Sequence, residues 1–379
     1  MSDSSDIDAT SSTAADAPQV RDNPFGDPVI VAAARAARPH TSRRHEAAAG
    51  IDHAPEFETN CPFCPGNEAE TPPEITAVRA DATAPDTAGW TVRVVPNKFP
   101  ALVTGPGRPD HAGSDVSAPA ANAASQRHDL FACVPAYGSH EVAIHSPDHS
   151  ATLARLGPER LAAAMDVWRA RTRQHRSDGW AATTICVNEG REAGASLAHP
   201  HAQLFATENI PPDVSRELDR QDAWSSDRDR SLLGSVVEAE RGGPRAVDTE
   251  GDLLAWVPYW ASNPYEVWIA AGAPDSGSGA FADASDASMS DLAFLVGRVA
   301  SRIGDAAGDP ALNLFVRDLP HNDPALAEIS RGSAPDAYWN IRVLPRTRVD
   351  AGFELATGMR IVTASPEACA QELRVSAAL

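Results

Sequence analysis

One ten-residue segment near the middle of the chain, 194–203, constrains the fold and chemistry more than any other. It reads Gly-Ala-Ser-Leu-Ala-His-Pro-His-Ala-Gln. In an extended segment successive side chains alternate between two faces, so His199, His201 and Gln203 would point the same way. The pattern predicts a strand that presents two imidazoles and one amide together.

Such a group of side chains is suited to covalent transfer of a phosphoryl-linked group. One imidazole nitrogen can attack phosphorus, a second imidazole can hold a metal ion, and an amide can hydrogen-bond the oxygens that gain charge. An isolated His-x-His pair is equally typical of a polar strand with two surface histidines. The other motifs of the chain therefore have to decide between these interpretations.

The composition indicates a globular protein with a sizeable core. The chain has 379 residues, of which 42% are hydrophobic, so two to three domains or one large α/β body are expected. No apolar run approaches the ~20 residues that a membrane-spanning helix requires. The first twenty residues contain no apolar signal core. We therefore expect a cytoplasmic protein without a membrane partner.

The charge balance is strongly acidic. The formal net charge is −20, and Lys98 is the only lysine. Because an acidic surface repels phosphate backbones, a nucleic-acid partner is not expected. The same composition fits a halophilic protein, since ~1 M salt screens charges beyond ~3 Å and so removes most of the self-repulsion.

Hydrophobic periodicity predicts an α+β fold in which strands cluster around one long helix in each half of the chain. Segment 1–22 is expected to be a disordered acidic tail, and 104–127 and 273–288 to be low-complexity loops. The predicted strands are 91–96, 130–135, 141–145, 181–187, 253–258, 265–270, 312–316 and 339–344, and the predicted helices are 158–177, 289–304 and 366–374.

Cys61 and Cys64 have the Cys-x-x-Cys spacing with which two thiolates grip one tetrahedral ion. A redox disulfide is the competing interpretation. The surrounding Pro-rich loop lacks the strand and helix that a thioredoxin-like site needs. His149 and His199 are the best placed candidates to complete a closed zinc site, which would fix the strand that bears His201. The remaining cysteines are expected to be buried core thiols; they are Cys133, Cys186 and Cys369.

Taken together, the motifs resemble those of the galactose-1-phosphate uridylyltransferase family within the histidine-triad superfamily. The resemblance runs from about Asn23 to Leu373, and the motifs come in the order of the family. The motifs are Arg-Ala-Ala-Arg-Pro at 35–39, Cys-Pro-Phe-Cys-Pro-Gly-Asn-Glu at 61–68, Val-Pro-Asn-Lys-Phe-Pro-Ala-Leu at 95–102, Gly-Ser-His-Glu-Val at 138–142, Ser-Pro-Asp-His at 146–149, Asn-Glu-Gly at 188–190, the 194–203 segment, Asn-Pro-Tyr-Glu-Val-Trp at 263–268 and Gly-Phe-Glu-Leu at 352–355.

The resemblance implies a role for each matching residue. His201 matches the nucleophile that takes a nucleoside monophosphate from a nucleotide sugar, and Gln203 matches the amide that hydrogen-bonds the transferred phosphoryl group. One structural Zn²⁺ is implied, with Cys61, Cys64, His149 and His199 as its ligands. The implied substrate-binding residues are Arg35, Arg38 (a phosphate-binding cation), Asn97 and Asn188 (nucleotide contacts), Ser196 (sugar-phosphate contact) and Glu354 (hexose-hydroxyl acceptor).

The activity that the resemblance implies is a UDP-glucose:hexose-1-phosphate uridylyltransferase of galactose metabolism, with nucleotide sugar and hexose 1-phosphate as partners. It would work by ping-pong exchange through a covalent His201–nucleotide. Gln203 stands where hydrolases of the superfamily have a third histidine, which favours transfer over release to water. Two alternatives stay open: an ADP-sugar phosphorylase or adenylyltransferase, and a non-catalytic nucleotide-sugar binding protein.

The resemblance also implies an organisation of two histidine-triad-like halves, 23–208 and 209–379, packed as a pseudo-repeat and assembled as a homodimer. The second half departs from the pattern, because Asn340 and Arg342 stand in its His-x-His segment. A second metal site is therefore not expected, and Glu217 is expected to be a solvated helix residue. His140, His145 and His321 are expected to be surface or hydrogen-bonded histidines.

Overall fold

The computed structural model describes residues 19–27, 29–31, 55–79, 83–103, 136–228, 230–274, 279–321 and 338–376. The strands are β1 Gln19–Arg21, β2 Val29–Val31, β3 Thr76–Arg79, β4 Trp90–Pro96, β5 Gly138–Ile144, β6 Ala182–Glu189, β7 His201–Thr207, β8 Ala246–Glu250, β9 Leu253–Trp256, β10 Val267–Ala271, β11 Leu312–Arg317, β12 Asn340–Pro345 and β13 Arg360–Val362. The helices are α1 Pro158–Ser177, α2 Pro212–Ser225, α3 Leu232–Glu240, α4 Asp286–Ala307, α5 Gly352–Thr357 and α6 Pro366–Val375.

Ten of these strands form one antiparallel sheet in the order β3-β4-β5-β7-β6-β11-β12-β10-β9-β8. Each half of the chain contributes three strands, a long helix and two more strands, and the halves meet where β6 pairs with β11. Strands β1, β2 and β13 form a separate small sheet. The predicted α+β class is confirmed; the domain boundary at 208 and the histidine-triad character of each half stay predictions.

The main core lies between one face of the sheet and helices α1 and α4. Helix α1 begins after Gly157 with a proline at its first turn, where a missing N–H costs nothing. Its Trp168 packs with Leu204 of β7 in this core, and both are fully buried. None of the described helices has the length and the apolar composition that crossing a bilayer requires.

A buried ion pair ties β5 to α1 in this core. The Glu141 carboxylate accepts two hydrogen bonds from Arg171, both at 2.8 Å, and one from His175 at 2.9 Å. Burial alone would raise the pKa of Glu141, but the bonds from His175 and Arg171 hold it well below its usual range. The pair fixes the side of β5 that faces away from His201.

The opposite face of the sheet carries two smaller clusters. Trp256, Trp260 and Trp268 pack with α3 in the second half and are buried core residues. In the first half, Phe63 and the two cysteines of the Cys-x-x-Cys loop pack on Val142 and Ile144 of β5. The Cys-x-x-Cys loop therefore lies on this face of the sheet, and the main hydrophobic core lies on the α1–α4 face.

Some predicted segments differ from the structure or lie outside the described residues. The end of the predicted tail forms β1, and the predicted loop at 273–288 contains the buried Phe281 and the start of α4. The predicted strand at 130–135, Cys133, the 104–127 loop and both Arg35 and Arg38 lie outside the described residues.

Candidate active site and metal centre

The four predicted metal ligands lie together. The donor atoms of Cys61, Cys64, His149 and His199 are all within 4.8 Å of one another, and all four residues are buried. The loop that holds the cysteines is fixed by Glu68, which accepts from the Trp90 indole of β4 at 2.9 Å. In the described part of the chain this is the one such group of metal-ligating side chains.

The distances within the group fit a tetrahedral ion. Cys61 Sγ lies 3.7 Å and Cys64 Sγ 3.6 Å from Nδ1 of His199, and Cys64 Sγ lies 3.5 Å from Nδ1 of His149. Zn–S and Zn–N bonds of about 2.3 and 2.0–2.1 Å at a tetrahedral angle give S···N edges of about 3.6 Å. Burial raises the pKa of the Cys61 thiol to about 11, so a cation is needed to stabilise its thiolate. The group can therefore bind a metal ion.

Backbone carbonyls set the orientation of both histidines of the central motif. His199 Nε2–H donates to the Ser146 carbonyl at 2.7 Å, which leaves the Nδ1 lone pair directed at the cysteines. His201 Nδ1–H donates to the His199 carbonyl at 2.8 Å, which leaves the Nε2 lone pair available. The ring of His199 can therefore hold a metal ion, while its backbone carbonyl orients His201.

His201 has the properties of a neutral nucleophile. It is the first residue of β7 and is 9% exposed, and the Phe63 ring packs at its edge with centroids 5.3 Å apart. Burial lowers the pKa of His201 below its ordinary value, so the imidazole is neutral near pH 7. A neutral imidazole with a free Nε2 is able to attack a phosphorus atom.

Gln203 shares the face of His201, as alternation along β7 requires. Gln203 pairs with Val142 of β5 and with Cys186 of β6. The next residue of β7, Leu204, faces the α1–α4 core. Gln203 Oε1 lies 2.9 Å from Nε2 of His140. The prediction that His201 and Gln203 share one face is confirmed. His199 differs from the prediction, because it precedes the strand and its ring points toward Cys61, Cys64 and His149.

Asn97 and Asn188 lie at opposite sides of this face. Asn97 Oδ1 accepts from the Phe99 backbone at 2.9 Å, and its Nδ2 lies 3.0 Å from His140 Nε2. Asn188 Oδ1 accepts from Nδ2 of Asn313, a residue of β11 in the second half, at 2.8 Å. The Asn188 Nδ2 group is thereby oriented away from Asn313.

Asn313 also holds the Gly-rich loop that follows β6. Its Nδ2 donates to the Ala193 carbonyl at 2.9 Å, and this loop leads to the exposed Ser196. At Gly190 the loop has φ +85°, and a Cβ there would lie 2.7 Å from that of Ala311, so only glycine fits. Asn313 could not be identified from the sequence, because its contacts depend on the pairing of β6 with β11.

Glu354 has local partners. It lies in the six-residue helix α5, accepts from the Ala351 backbone at 3.0 Å and lies 3.6 Å from Arg348. No contact among the described residues joins it to His201 or Gln203. The structure therefore does not bring Glu354 to the other predicted site residues within one chain.

The prediction that Glu217 is a solvated residue was wrong. It is 3% exposed and pairs with both Arg317 and Arg342, the former at 3.2 Å. The Arg342 guanidinium also stacks over the Trp268 ring at 3.7 Å. An arginine–glutamate cluster therefore occupies the part of the second half where the sequence departs from the family pattern.

Two of the three other histidines are hydrogen-bonded as expected. His140 contacts Gln203, and His321 Nε2 lies 2.8 Å from the Thr183 hydroxyl. His145 differs, since it is 1% exposed and neither ring nitrogen has a partner among the described residues. Its ring packs beside Trp168 with centroids 5.3 Å apart.

Comparison with known proteins agrees with this geometry. The family model for the galactose-1-phosphate uridyl transferase N-terminal domain matches residues 9–211, more than half of the chain. ADP-glucose phosphorylase of Arabidopsis thaliana is 27% identical over 360 residues, which cover 94% of this chain and 92% of that protein. Galactose-1-phosphate uridylyltransferase of Haemophilus influenzae is 26% identical over 308 residues, 80% and 77% of the respective chains.

A solved structure extends the likeness to the whole fold. The crystal structure of the Arabidopsis ADP-glucose phosphorylase with bound ADP-glucose superposes with a TM-score of 0.75 and 25% identity. It covers 96% of this chain and 100% of its own. The chain therefore belongs to the galactose-1-phosphate uridyl transferase family, and it is an enzyme of the nucleotidyltransferase type.

Proposed function

We propose that the protein transfers a nucleoside monophosphate from a nucleotide sugar to a phosphate-bearing acceptor through His201. Nε2 of His201 attacks the phosphorus next to the nucleoside, the P–O bond to the sugar phosphate breaks, and the sugar 1-phosphate leaves. A phosphate oxygen of the acceptor then attacks the same phosphorus and breaks the N–P bond. The first step exchanges a P–O bond for an N–P bond and the second reverses this exchange. A neutral imidazole is both a good nucleophile and a good leaving group, so both steps are feasible near neutral pH.

One observation carries this proposal: His201 has a proton on Nδ1 and a free Nε2, with Gln203 on the same face of β7. The amide can donate to a phosphoryl oxygen as charge develops there. An amide is not an acid at neutral pH. It suits a leaving sugar phosphate, which is already a stable anion and needs no proton.

The metal group favours Zn²⁺ as the resident ion. A closed set of two thiolates and two imidazoles is typical of structural zinc sites. When bound, the ion would hold His199 and therefore the carbonyl that fixes the tautomer of His201. Its task in this proposal is positional, and it takes no part in bond breaking.

The remaining predicted contacts are part of the same proposal. Asn97 and Asn188 would bind the nucleotide, Ser196 the sugar phosphate, and Arg38 with Arg35 a phosphate group. Glu354 would bind a hexose hydroxyl. Among the described residues Glu354 contacts Ala351 and Arg348 and does not contact His201, so we propose that a second copy of the chain supplies this residue.

UDP-glucose with galactose 1-phosphate or another hexose 1-phosphate is the donor and acceptor pair that we propose first. It is the activity named in the family and in relatives such as the Haemophilus enzyme. An ADP-sugar phosphorylase, with inorganic phosphate as acceptor, is the second candidate. The near full-length match to ADP-glucose phosphorylase favours it.

The experiment is isotope exchange with no second acceptor present. Labelled glucose 1-phosphate is mixed with the protein and either UDP-glucose or ADP-glucose. Because a covalent intermediate regenerates the donor, label should enter UDP-glucose for the uridylyltransferase, and ADP-glucose for the second candidate. In a third mixture, release of ADP on adding inorganic phosphate identifies the phosphorylase.

Two variants control the exchange. His201→Gly should abolish it, and His321→Asn, a change at a histidine outside the site, should leave it within about threefold of the wild type. Tight binding of either nucleotide sugar without any exchange would contradict the proposal. That result would instead support a non-catalytic binding protein.

A further inference from the structure

His140 on β5 lies in a fixed environment beside Gln203. Its ring is 8% exposed and stacks on Phe205 with centroids 4.0 Å apart and an interplanar angle of 26°. Nδ1 lies 3.1 Å from the Ala101 backbone N–H, and Nε2 lies 2.9 Å from Gln203 Oε1. The Asn97 amide nitrogen lies 3.0 Å from the same Nε2.

These contacts determine the tautomer of His140. A backbone N–H can only donate, so the Ala101 contact requires a bare Nδ1. The proton is then on Nε2, which donates to Gln203 Oε1. In the Nδ1–H tautomer, the Ala101 N–H would face the Nδ1–H, and the bare Nε2 would face the Gln203 oxygen. That tautomer would gain only a hydrogen bond from the Asn97 amide to Nε2. The Nε2–H tautomer therefore satisfies more of the contacts.

The tautomer in turn determines which end of the Gln203 amide faces a ligand. Because Oε1 is held by His140, the amide NH₂ is the end left to donate. If the amide were flipped, its oxygen would face the phosphoryl oxygens and repel them. A glutamine side chain rotates freely about its last torsion, so some neighbour has to select one orientation.

We propose that His140 is a positioning residue that orients the Gln203 amide so that its NH₂ group donates to the phosphoryl group transferred through His201. The inference rests on the proposed function and adds a residue to which the sequence analysis gave no functional role. It also joins the 97–101 loop to Gln203 through a single imidazole, which accepts from the Ala101 N–H and donates to Gln203 Oε1. Loss of this orientation should lower kcat and leave KM nearly unchanged, because the bond to Gln203 matters most as charge develops.

A double-mutant cycle on kcat tests the inference. His140→Phe keeps an aromatic ring on Phe205 but removes both ring nitrogens. The Gln203 amide then loses its fixed orientation, and we expect kcat to fall on the order of 10- to 100-fold, since misplacing a catalytic group by about 1 Å has an effect of this size. Gln203→Ala should cost about 10²- to 10³-fold. If His140 acts only through Gln203, His140→Phe in the Gln203→Ala background should lower kcat by less than about twofold.

A pair of conservative variants provides the matched control. The amide of His140→Gln can place a donor where Nε2 lies, whereas His140→Asn can only reach the position of Nδ1. The first should recover more than half of the lost kcat on a logarithmic scale, and the second should not. This comparison also stands if His140→Phe fails to fold, which thermal unfolding would reveal.

The outcomes separate this inference from the proposed function. Additive losses in the cycle, or equal activity of His140→Gln and His140→Asn, would overturn the role of His140 while the transfer chemistry stands. No loss on Gln203→Ala, or exchange in His201→Gly, would overturn the proposed function itself. Non-additive losses with recovery in His140→Gln alone would support both.

Discussion

At the scale of single residues, the chemistry of the site depends on which ring nitrogen carries the proton. The Ser146 carbonyl selects the tautomer of His199, and the His199 carbonyl selects that of His201. Both carbonyls belong to the backbone, so exchanging neighbouring side chains leaves this control in place. A buried neutral imidazole, rather than an imidazolium, is what the fold provides at position 201.

Glu217 offers a prediction about stability. Glu217→Gln removes the one carboxylate that lies between Arg317 and Arg342, and a buried charge left without its partner destabilises a protein by about 3–5 kcal/mol. Asp213→Asn on the same helix breaks an exposed pair with Arg216, which should cost at most about 0.5 kcal/mol. Urea unfolding of both variants measures the difference. Equal losses would show that Glu217 does not neutralise a buried charge.

The sequence was sufficient to predict that the two cysteines and two histidines form a metal-binding group and that His201 and Gln203 share one face of a strand. Thiol and imidazole donors in that spacing have few other functions. Glu217 could not be placed in this way. Several residues near it in α2 are charged, and it is paired with Arg342 of β12, which lies 125 positions later in the chain. Long-range partners of a charged residue leave no local pattern in the sequence.

At the scale of elements, the site is a junction between a loop and a strand. The Cys-x-x-Cys loop packs on β5, and the metal group joins it to His199, which lies two residues before β7. Helix α1 begins and ends as predicted, because Gly157 and Pro158 mark its start and its apolar spacing is helical. The order of the sheet could not be predicted, since the register of β6 against β11 follows from pairing between distant segments.

Removal of one ligand tests this junction. Cys64→Ser should weaken zinc binding by more than about 100-fold, since loss of an outer-shell partner alone typically costs 10- to 100-fold. Cys369→Ser changes another buried thiol, in α6 and outside the metal group, and should keep one zinc per chain. Elemental analysis of both proteins measures the metal. Equal zinc contents would show that the loop and β7 are not joined by this ion.

At the scale of the whole molecule, two halves with the same order of elements do different work. The first half bears the metal group, His201 and Gln203, and the corresponding face of the second half bears buried arginines and tryptophans. The second half still contributes to the site, because Asn313 holds Asn188 and the loop before Ser196. The pairing of β6 with β11 therefore brings a side chain of the second half to the loop that precedes Ser196.

The central claim is that His201 becomes covalently bonded to a nucleoside monophosphate. Mass spectrometry of the intact protein after brief exposure to UDP-glucose and, separately, to ADP-glucose measures this directly. A mass gain of one nucleoside monophosphate is expected with one of the two donors, located on His201 after digestion and absent in His201→Gly. No mass gain with either donor, or a nucleotide on another residue, would contradict it.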